Sequence, residues 1–211
     1  MRRALVFGFL ALSLHAELID RLVIVVGRHV ITELQLDEEL RVTAFLNGIP
    51  VARSTDARRD AGDRLVEQLL IRREMEFSRY PMPDSRDVST YMEQVVAGLN
   101  DPDHLGQTLK AYDLSEDVLR EHLTLQLTTL RFIEYRFKSD LSVSDADVQT
   151  YYRRELAANG KMPRGTPPSF DSVKESIKQT LVDRRTDEAL DNWLEEARKQ
   201  VNIVYLDKTL Q

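Results

Sequence analysis

The sequence predicts a mainly α-helical protein, a helical domain with a small antiparallel sheet, and three observations support this fold class. Apolar residues recur at helical spacing over most of the chain, with capping residues and prolines between the helical stretches. Two short β-branched runs at 22–26 and 29–31 flank Gly27-Arg28, a pair that suits a type II′ hairpin turn. A third such run lies at 201–206. Because a lone hairpin is barely stable in water, we expect this C-terminal run to complete the sheet as its third strand.

The helical stretches are predicted from their caps and their breaks. Thr32 and Gln35 have the spacing of a capping box, and Gly48 is expected to end the first helix. A long second helix should begin near Ser54 and end before Pro81, since proline cannot continue a helix. Further helices are expected at about 85–100, 115–138, 144–156 and 170–200, with one short helix within 101–113.

The helix predicted to begin at Ser115 is apolar on two sides. One face carries Leu119, Leu123, Leu127, Leu130, Ile133 and Phe137. Another side carries three apolar residues spaced seven apart, namely Val118, Leu125 and Phe132. A helix of this kind either lies centrally in a bundle or presents one side to a partner. We expect the central position, and a client-binding surface is the alternative.

The N-terminal residues have the charge order of a secretory signal peptide. Arg2 and Arg3 precede an uncharged apolar run at 4–12, which a short polar stretch follows. This run is about half as long as the ~20 residues that span a bilayer. We therefore expect residues 1–16 to be a cleaved signal, with cleavage after Ser13 or Ala16. The mature protein is expected to be exported, without stable insertion into a membrane.

Composition argues against several classes of function. The chain has 29 basic and 35 acidic residues, with a net charge of −6. Nucleic acid and anionic membranes reward a basic face, so neither is expected as the principal partner. The chain contains no cysteine, which excludes a disulfide, a thiolate nucleophile and a cysteine-ligated zinc.

No motif in the sequence predicts a catalytic, metal or cofactor site. The histidines are scattered without a second ligand at metal-binding spacing, and the eight glycines never cluster into a phosphate-binding loop. We interpret His122 as a residue on a solvated helix surface, and the acidic groups at 37–39, 145–147 and 195–196 as solvated helix faces. No enzyme and no cofactor are therefore expected. An enzyme assembled from carboxylates on distant helices is the remaining alternative.

Four segments of the chain, taken in order, carry a resemblance to a known family. They are Leu-Val-Ile-Val-Val-Gly-Arg-His-Val-Ile-Thr at 22–32, Arg-Leu-Val-Glu-Gln-Leu-Leu-Ile at 64–71, Val-Ser-Asp-Ala-Asp-Val-Gln-Thr-Tyr-Tyr at 143–152, and the helix that begins Phe-Asp-Ser-Val-Lys at 170. In this order they resemble SurA and related parvulin-type foldases of the periplasm. The match covers most of the mature chain.

The chain departs from that family between the last two segments. Isomerising members carry a parvulin domain of about a hundred residues there, whereas here only residues 153–169 separate the segments. Even a small domain needs roughly 50 residues, so no prolyl isomerase domain fits. The resemblance thus implies a SurA-like chaperone region at 17–158, a Pro/Gly linker at 159–169 in place of the isomerase domain, and a helix and strand at 170–211 that complete the chaperone domain.

The resemblance implies an ATP-independent holdase for unfolded secreted or outer-membrane polypeptides. Such a protein needs apolar surface that adapts to many sequences, for which methionine and aromatic side chains are suited. The client-binding hypothesis names Phe45, Leu46, Ile49, Met75, Met82, Met92, Tyr112, Phe132 and Phe137. A dedicated assembly or structural factor with one protein partner is the alternative function. A homodimer formed by exchange of the terminal helix across the linker is a further hypothesis.

Overall fold

The computed structural model describes residues 20–99, 101–137, 142–158 and 169–211. In these ranges the chain forms one three-stranded sheet and seven α-helices. The strands are β1 (Leu22–Val26), β2 (His29–Thr32) and β3 (Ile203–Tyr205). The helices are α1 (Glu33–Asn47), α2 (Thr55–Phe77), α3 (Ser85–Ala97), α4 (Leu105–Ala111), α5 (Glu116–Phe137), α6 (Asp145–Ala158) and α7 (Phe170–Lys199). The predicted signal peptide and all but the last residue of the predicted linker lie outside the described residues.

The sheet joins the two ends of the described chain, which confirms the predicted fold class. Its strand order is β2-β1-β3, and both pairings are antiparallel. In the hairpin turn Gly27 alone has a positive φ, of 60°, as a type II′ turn requires. β3 is shorter than predicted, because the amide of Val201 still donates to the carbonyl of Arg198 in the turn that ends α7.

Local capping explains where the first two helices begin and end. The Thr32 hydroxyl accepts from the amide of Gln35 at 3.3 Å, and the Gln35 side chain accepts from the Thr32 amide at 3.0 Å. Gly48 ends α1 in the left-handed conformation, with φ 62°. α2 ends at Phe77, a few residues before the predicted position, because Arg79 adopts a left-handed conformation with φ 55°.

The core consists of three apolar clusters. The first lies between the sheet, α1 and α2, and it includes Leu210 from the chain's last residues. The second joins α1, α3, α4 and α5, and the third joins α2, α5 and α7. Helix α5 buries Leu119 and Leu123 in the second cluster, and Phe132 and Phe137 in the third. Helix α5 is thus central, as predicted, where these four side chains pack, whereas Val118 and Leu125 of its second apolar side are only partly buried.

Helix α6 packs on the N-terminal part of α7. Val148 of α6 is fully buried, and the ring of Tyr152 lies edge-on to Phe170, with 5.4 Å between the centroids. Lys174 and Asp145 form an ion pair at 2.9 Å across the same contact. Among the helices in the described ranges, none has the length and apolar character needed to cross a bilayer.

Candidate binding grooves

A buried carboxylate lies among the helices α1, α2 and α5. Glu39 is only 4% exposed, although glutamate is almost never buried unless it is paired. Its Oε1 accepts from Nε of Arg64 at 2.7 Å, and its Oε2 lies 3.0 Å from Nδ1 of His122. Glu39 is buried because it lies three residues after Leu36 and three before Val42, on the stripe of α1 that faces the core.

Three side chains contact the carboxylate of Glu39, and two of them, His122 and Arg64, determine its ionisation; the third, Thr43, donates its hydroxyl to Oε1 at 3.3 Å. Burial raises the pKa of Glu39, but the hydrogen bonds and charges of His122 and Arg64 lower it by more. The net result is a pKa below the ordinary value for glutamate. Glu39 is therefore ionised, and its contacts with Arg64 and His122 hold the carboxylate in place.

A groove with a volume of about 370 Å³ runs beside this cluster, between α1, α2, α5 and α7. We call it the main groove. Its apolar side chains are Leu46, Ile71, Leu190 and Leu194. Its uncharged hydrogen-bonding side chains are Thr43, Asn47, Gln68, Gln126 and Thr129. The amide oxygen of Gln68 is buried and has no hydrogen-bond partner among the described residues. Such an unmet acceptor is costly to the fold.

A second groove, of about 90 Å³, shares Glu39 and His122 with the main groove. We call it the side groove. Its apolar walls are formed by Val42, Leu65, Val118 and Leu125. Glu38 of α1 and Glu121 of α5 also line it. Burial raises the pKa of Glu38 and Arg41 lowers it, while the neighbouring charge of Glu121 adds to the rise.

The structure buries most of the nine residues in the client-binding hypothesis. Phe45, Met75, Met92, Phe132 and Phe137 are each at most 7% exposed and belong to the core clusters. These five side chains contact other core residues, so they are not exposed at the surface, where a client would have to bind.

Of the other four residues of the hypothesis, Leu46 and Tyr112 line a further groove of about 360 Å³ together with Phe45, whereas Ile49 and Met82 do not line it. Leu46 lines the main groove. Tyr112 is half-buried and packs edge-on against Phe45, with 5.8 Å between the ring centroids. Ile49 and Met82 are 50% and 39% exposed in loops. The structure therefore does not bring the nine residues together in one cleft, and Leu46 alone lies on the main groove.

The structure corrects the sequence prediction for two residues of the grooves, Glu39 and His122. The interpretation of Glu39 as part of a solvated helix face is wrong, since this side chain is buried and paired. The interpretation of His122 as a solvated residue is also wrong, because its side chain is 14% exposed and contacts Glu39. A signal was present: His122 follows the buried Leu119 by three residues, as Glu39 follows Leu36. A polar residue at a core position of an apolar stripe indicates a buried partner.

Within the described part of the chain, no group of three or more histidine, aspartate or glutamate side chains is arranged to hold a metal ion. No family model matches the chain, and no curated protein matches it. The resemblance to SurA-like chaperones stays a prediction.

Proposed function

We propose that the protein is an ATP-independent holdase that binds unfolded or extended polypeptides in the main groove and keeps them from aggregating. The observation that supports this most is the combination, in one groove, of apolar side chains with side-chain amides. Leu46, Leu190 and Leu194 supply the apolar surface, and the exposed Asn47 and Gln126 supply hydrogen-bonding groups. An unfolded chain exposes apolar side chains together with unpaired peptide groups, and this groove can accept both.

The groove also suits clients of varied sequence. Asn47 and Gln126 are exposed at its edge. The Gln126 amide can turn to donate or to accept, whereas Asn47 donates to the carbonyl of Thr43 at 2.7 Å and offers its amide oxygen as an acceptor. Because peptide N–H and C=O groups are the same in every sequence, hydrogen bonds of this kind give affinity without selecting a particular side chain.

Light scattering of a denatured outer-membrane protein, diluted into the mature chain without nucleotide, tests this proposal. The wild type should suppress the scattering. Gln126→Trp places a bulky ring in the groove from an exposed helix position, and it should weaken suppression several-fold. Gln94→Trp is the matched control, since Gln94 is exposed on α3 and does not line the groove. Absence of suppression by the wild type, or equal suppression by both variants, would overturn the proposal.

We propose further that binding occurs without prolyl isomerisation. The support is the short connection at 153–169, which leaves no room for an isomerase domain. A proline-peptide isomerisation assay should give the uncatalysed rate at any concentration of the mature chain. Acceleration that rises with protein concentration would contradict this part of the proposal.

We propose the periplasm as the compartment. Support comes from the charge order of residues 1–16 and from the resemblance to periplasmic chaperones. Mass spectrometry of the protein recovered from the cell envelope should find an N-terminus shortly after Ser13 or Ala16. An intact Met1 on the mature protein would contradict export by a cleaved signal.

A further inference from the structure

The side groove combines apolar walls with two carboxylates that form no ion pair among the described residues. Val42, Val118 and Leu125 contribute apolar surface from α1 and α5. Glu38 and Glu121 line the same groove, and neither forms an ion pair with another described residue. The neighbouring Glu39 differs, because it forms an ion pair with Arg64 and lies within hydrogen-bonding distance of His122. The groove thus carries two carboxylates that no ion pair with a described residue neutralises.

The surroundings of Glu38 disfavour its charged form. Burial raises its pKa, and the charges of Glu121, Asp20 and Asp37 act in the same direction. The charge of Arg41 lowers the pKa, but the Arg41 guanidinium donates to Asp113 at 2.6 Å. A carboxylate beside apolar walls and other carboxylates is costly to keep ionised, and a bound cation would reduce that cost.

The shape and lining of the side groove indicate what kind of cation fits. No group of described carboxylate and histidine side chains has the arrangement of a metal site. The volume of about 90 Å³ is several times the roughly 10–15 Å³ that one water needs. It is much smaller than the ~300 Å³ of an ordinary small-molecule pocket. Lysine and arginine lay their methylene stems along apolar surface and keep a cationic head near polar groups, which matches apolar walls with carboxylates beside them.

We propose that the side groove receives a lysine or arginine side chain from a polypeptide that lies in the main groove. This inference rests on the proposed holdase function and specifies its clients as segments in which a basic residue adjoins apolar ones. The two grooves share Glu39 and His122, so a chain bound in one lies next to the other. The chain's net charge of −6 also attracts basic segments over longer distances.

Fluorescence anisotropy with two labelled peptides tests the inference on the full mature chain. Both peptides are ten-residue, leucine-rich and unstructured, and they differ only at the centre, where one has lysine and the other norleucine. Norleucine keeps the methylene stem but has no charge. The lysine peptide should bind about fivefold more tightly at low salt, an advantage that falls at high salt as ionic attraction is screened.

Two double variants separate the side groove from the overall charge. Glu38→Gln with Glu121→Gln should abolish the preference for lysine, so that the two peptides bind this variant with equal affinity. Glu93→Gln with Glu175→Gln is the matched control, because it removes the same charge from exposed positions on α3 and α7. This control should keep most of the preference. Circular dichroism should show that both double variants remain folded.

Failure of the inference and failure of the proposed function give different results. Equal affinity of the wild type for both peptides overturns the inference alone. So does an equal loss of lysine preference in both double variants, since the charge of the whole chain would then explain it. If neither peptide binds and the wild type also fails to suppress aggregation, the holdase function and the inference are both overturned.

Discussion

At the scale of single residues, Glu39 links the stability of the fold to the shape of its grooves. It is buried on α1 and bonded to Arg64 of α2 and His122 of α5, so one carboxylate connects three helices. It lines the main groove and the side groove together with His122. Removal of the Glu39 charge should therefore destabilise the fold, whereas removal of the Glu38 charge should weaken the binding of a basic side chain in the side groove.

Glu39→Gln should lower the free energy of unfolding by about 1–3 kcal/mol at neutral pH, because two hydrogen bonds to a charged group are weakened where water has little access. Urea unfolding measures this. Glu93→Gln, at an exposed position on α3, is the control and should stay within about 0.5 kcal/mol of the wild type. Equal stability of both variants would show that the Glu39 contacts do not stabilise the fold.

Acid should reduce the contribution of Glu39. Its pKa in the folded chain is below the ordinary glutamate value, despite burial, because of His122 and Arg64. The stabilisation is therefore fully present above the ordinary glutamate pKa and is lost as the pH falls through the lowered folded value. The stability difference between the wild type and Glu39→Gln should narrow in acid. A stability difference that stays constant as the pH falls would mean that folding does not lower the pKa of Glu39.

The ionised form of Glu38 is expected to destabilise the fold, the opposite of the effect of Glu39. Burial raises its pKa, so its ionised form disfavours the folded state above the ordinary glutamate pKa. Glu38→Gln should therefore raise the urea midpoint at neutral pH, and this gain should vanish as the pH falls below the ordinary glutamate pKa. A lower midpoint for the variant at neutral pH would mean that Glu38 has a compensating cation in solution.

At the scale of elements, local signals predicted most boundaries. The Thr32 capping box and Gly48 delimit α1 as expected, and Gly27 makes the predicted turn, because each of these effects involves neighbours a few residues apart. The end of α2 was less predictable, since Pro81 marks only the latest point at which a helix must stop. The left-handed residue Arg79 ends it earlier, and no residue type signals that position strongly.

Thr32→Ala should lower the free energy of unfolding by about 1 kcal/mol, since it removes one half of the capping box of α1. The cap also joins β2 to α1, so the effect should reach the sheet. Thr90→Ala, at an exposed position in α3, is the control and should change stability by less than about 0.5 kcal/mol. Chemical denaturation compares the two, and equal losses would show that the cap contributes nothing specific.

At the scale of the whole molecule, the first and last described segments stabilise each other. β3 pairs with β1, and Leu210 is 2% exposed in the cluster under the sheet. Arg58 of α2 forms ion pairs with Glu33 at 2.8 Å and with Asp207 at 3.4 Å, beside the same sheet. The C-terminal residues are thus part of the main core rather than an appendage.

Leu210→Ala should destabilise the fold by about 2–5 kcal/mol, because it leaves a cavity among Ile24, Gly62 and their neighbours. Leu206→Ala is the matched control, since Leu206 is 51% exposed and the same atoms are removed. Thermal and urea unfolding should show a large loss for the first variant and little change for the second. Similar behaviour of the two would mean that the chain end is not anchored in solution.

The grooves themselves could not be predicted from the sequence. Apolar periodicity identified α5 as two-sided, but it does not say which helix covers each side. The main groove is a gap among α1, α2, α5 and α7, of which only α1 and α2 are consecutive, so its lining depends on tertiary packing. The hypothesis named methionine and aromatic residues together with Leu46 and Ile49, and five of the nine are buried in the core, as is usual for large apolar side chains.

The most direct test of the central claim is site-specific photo-crosslinking to an unfolded client. The photoreactive amino acid p-benzoylphenylalanine is placed at position 126 in the main groove or, as the control, at position 94 on α3. With a denatured outer-membrane protein present, the account predicts strong crosslinks from position 126 and few from position 94. Crosslinks that are absent from position 126, or equally frequent at both positions, would contradict the claim that unfolded polypeptides bind in the main groove.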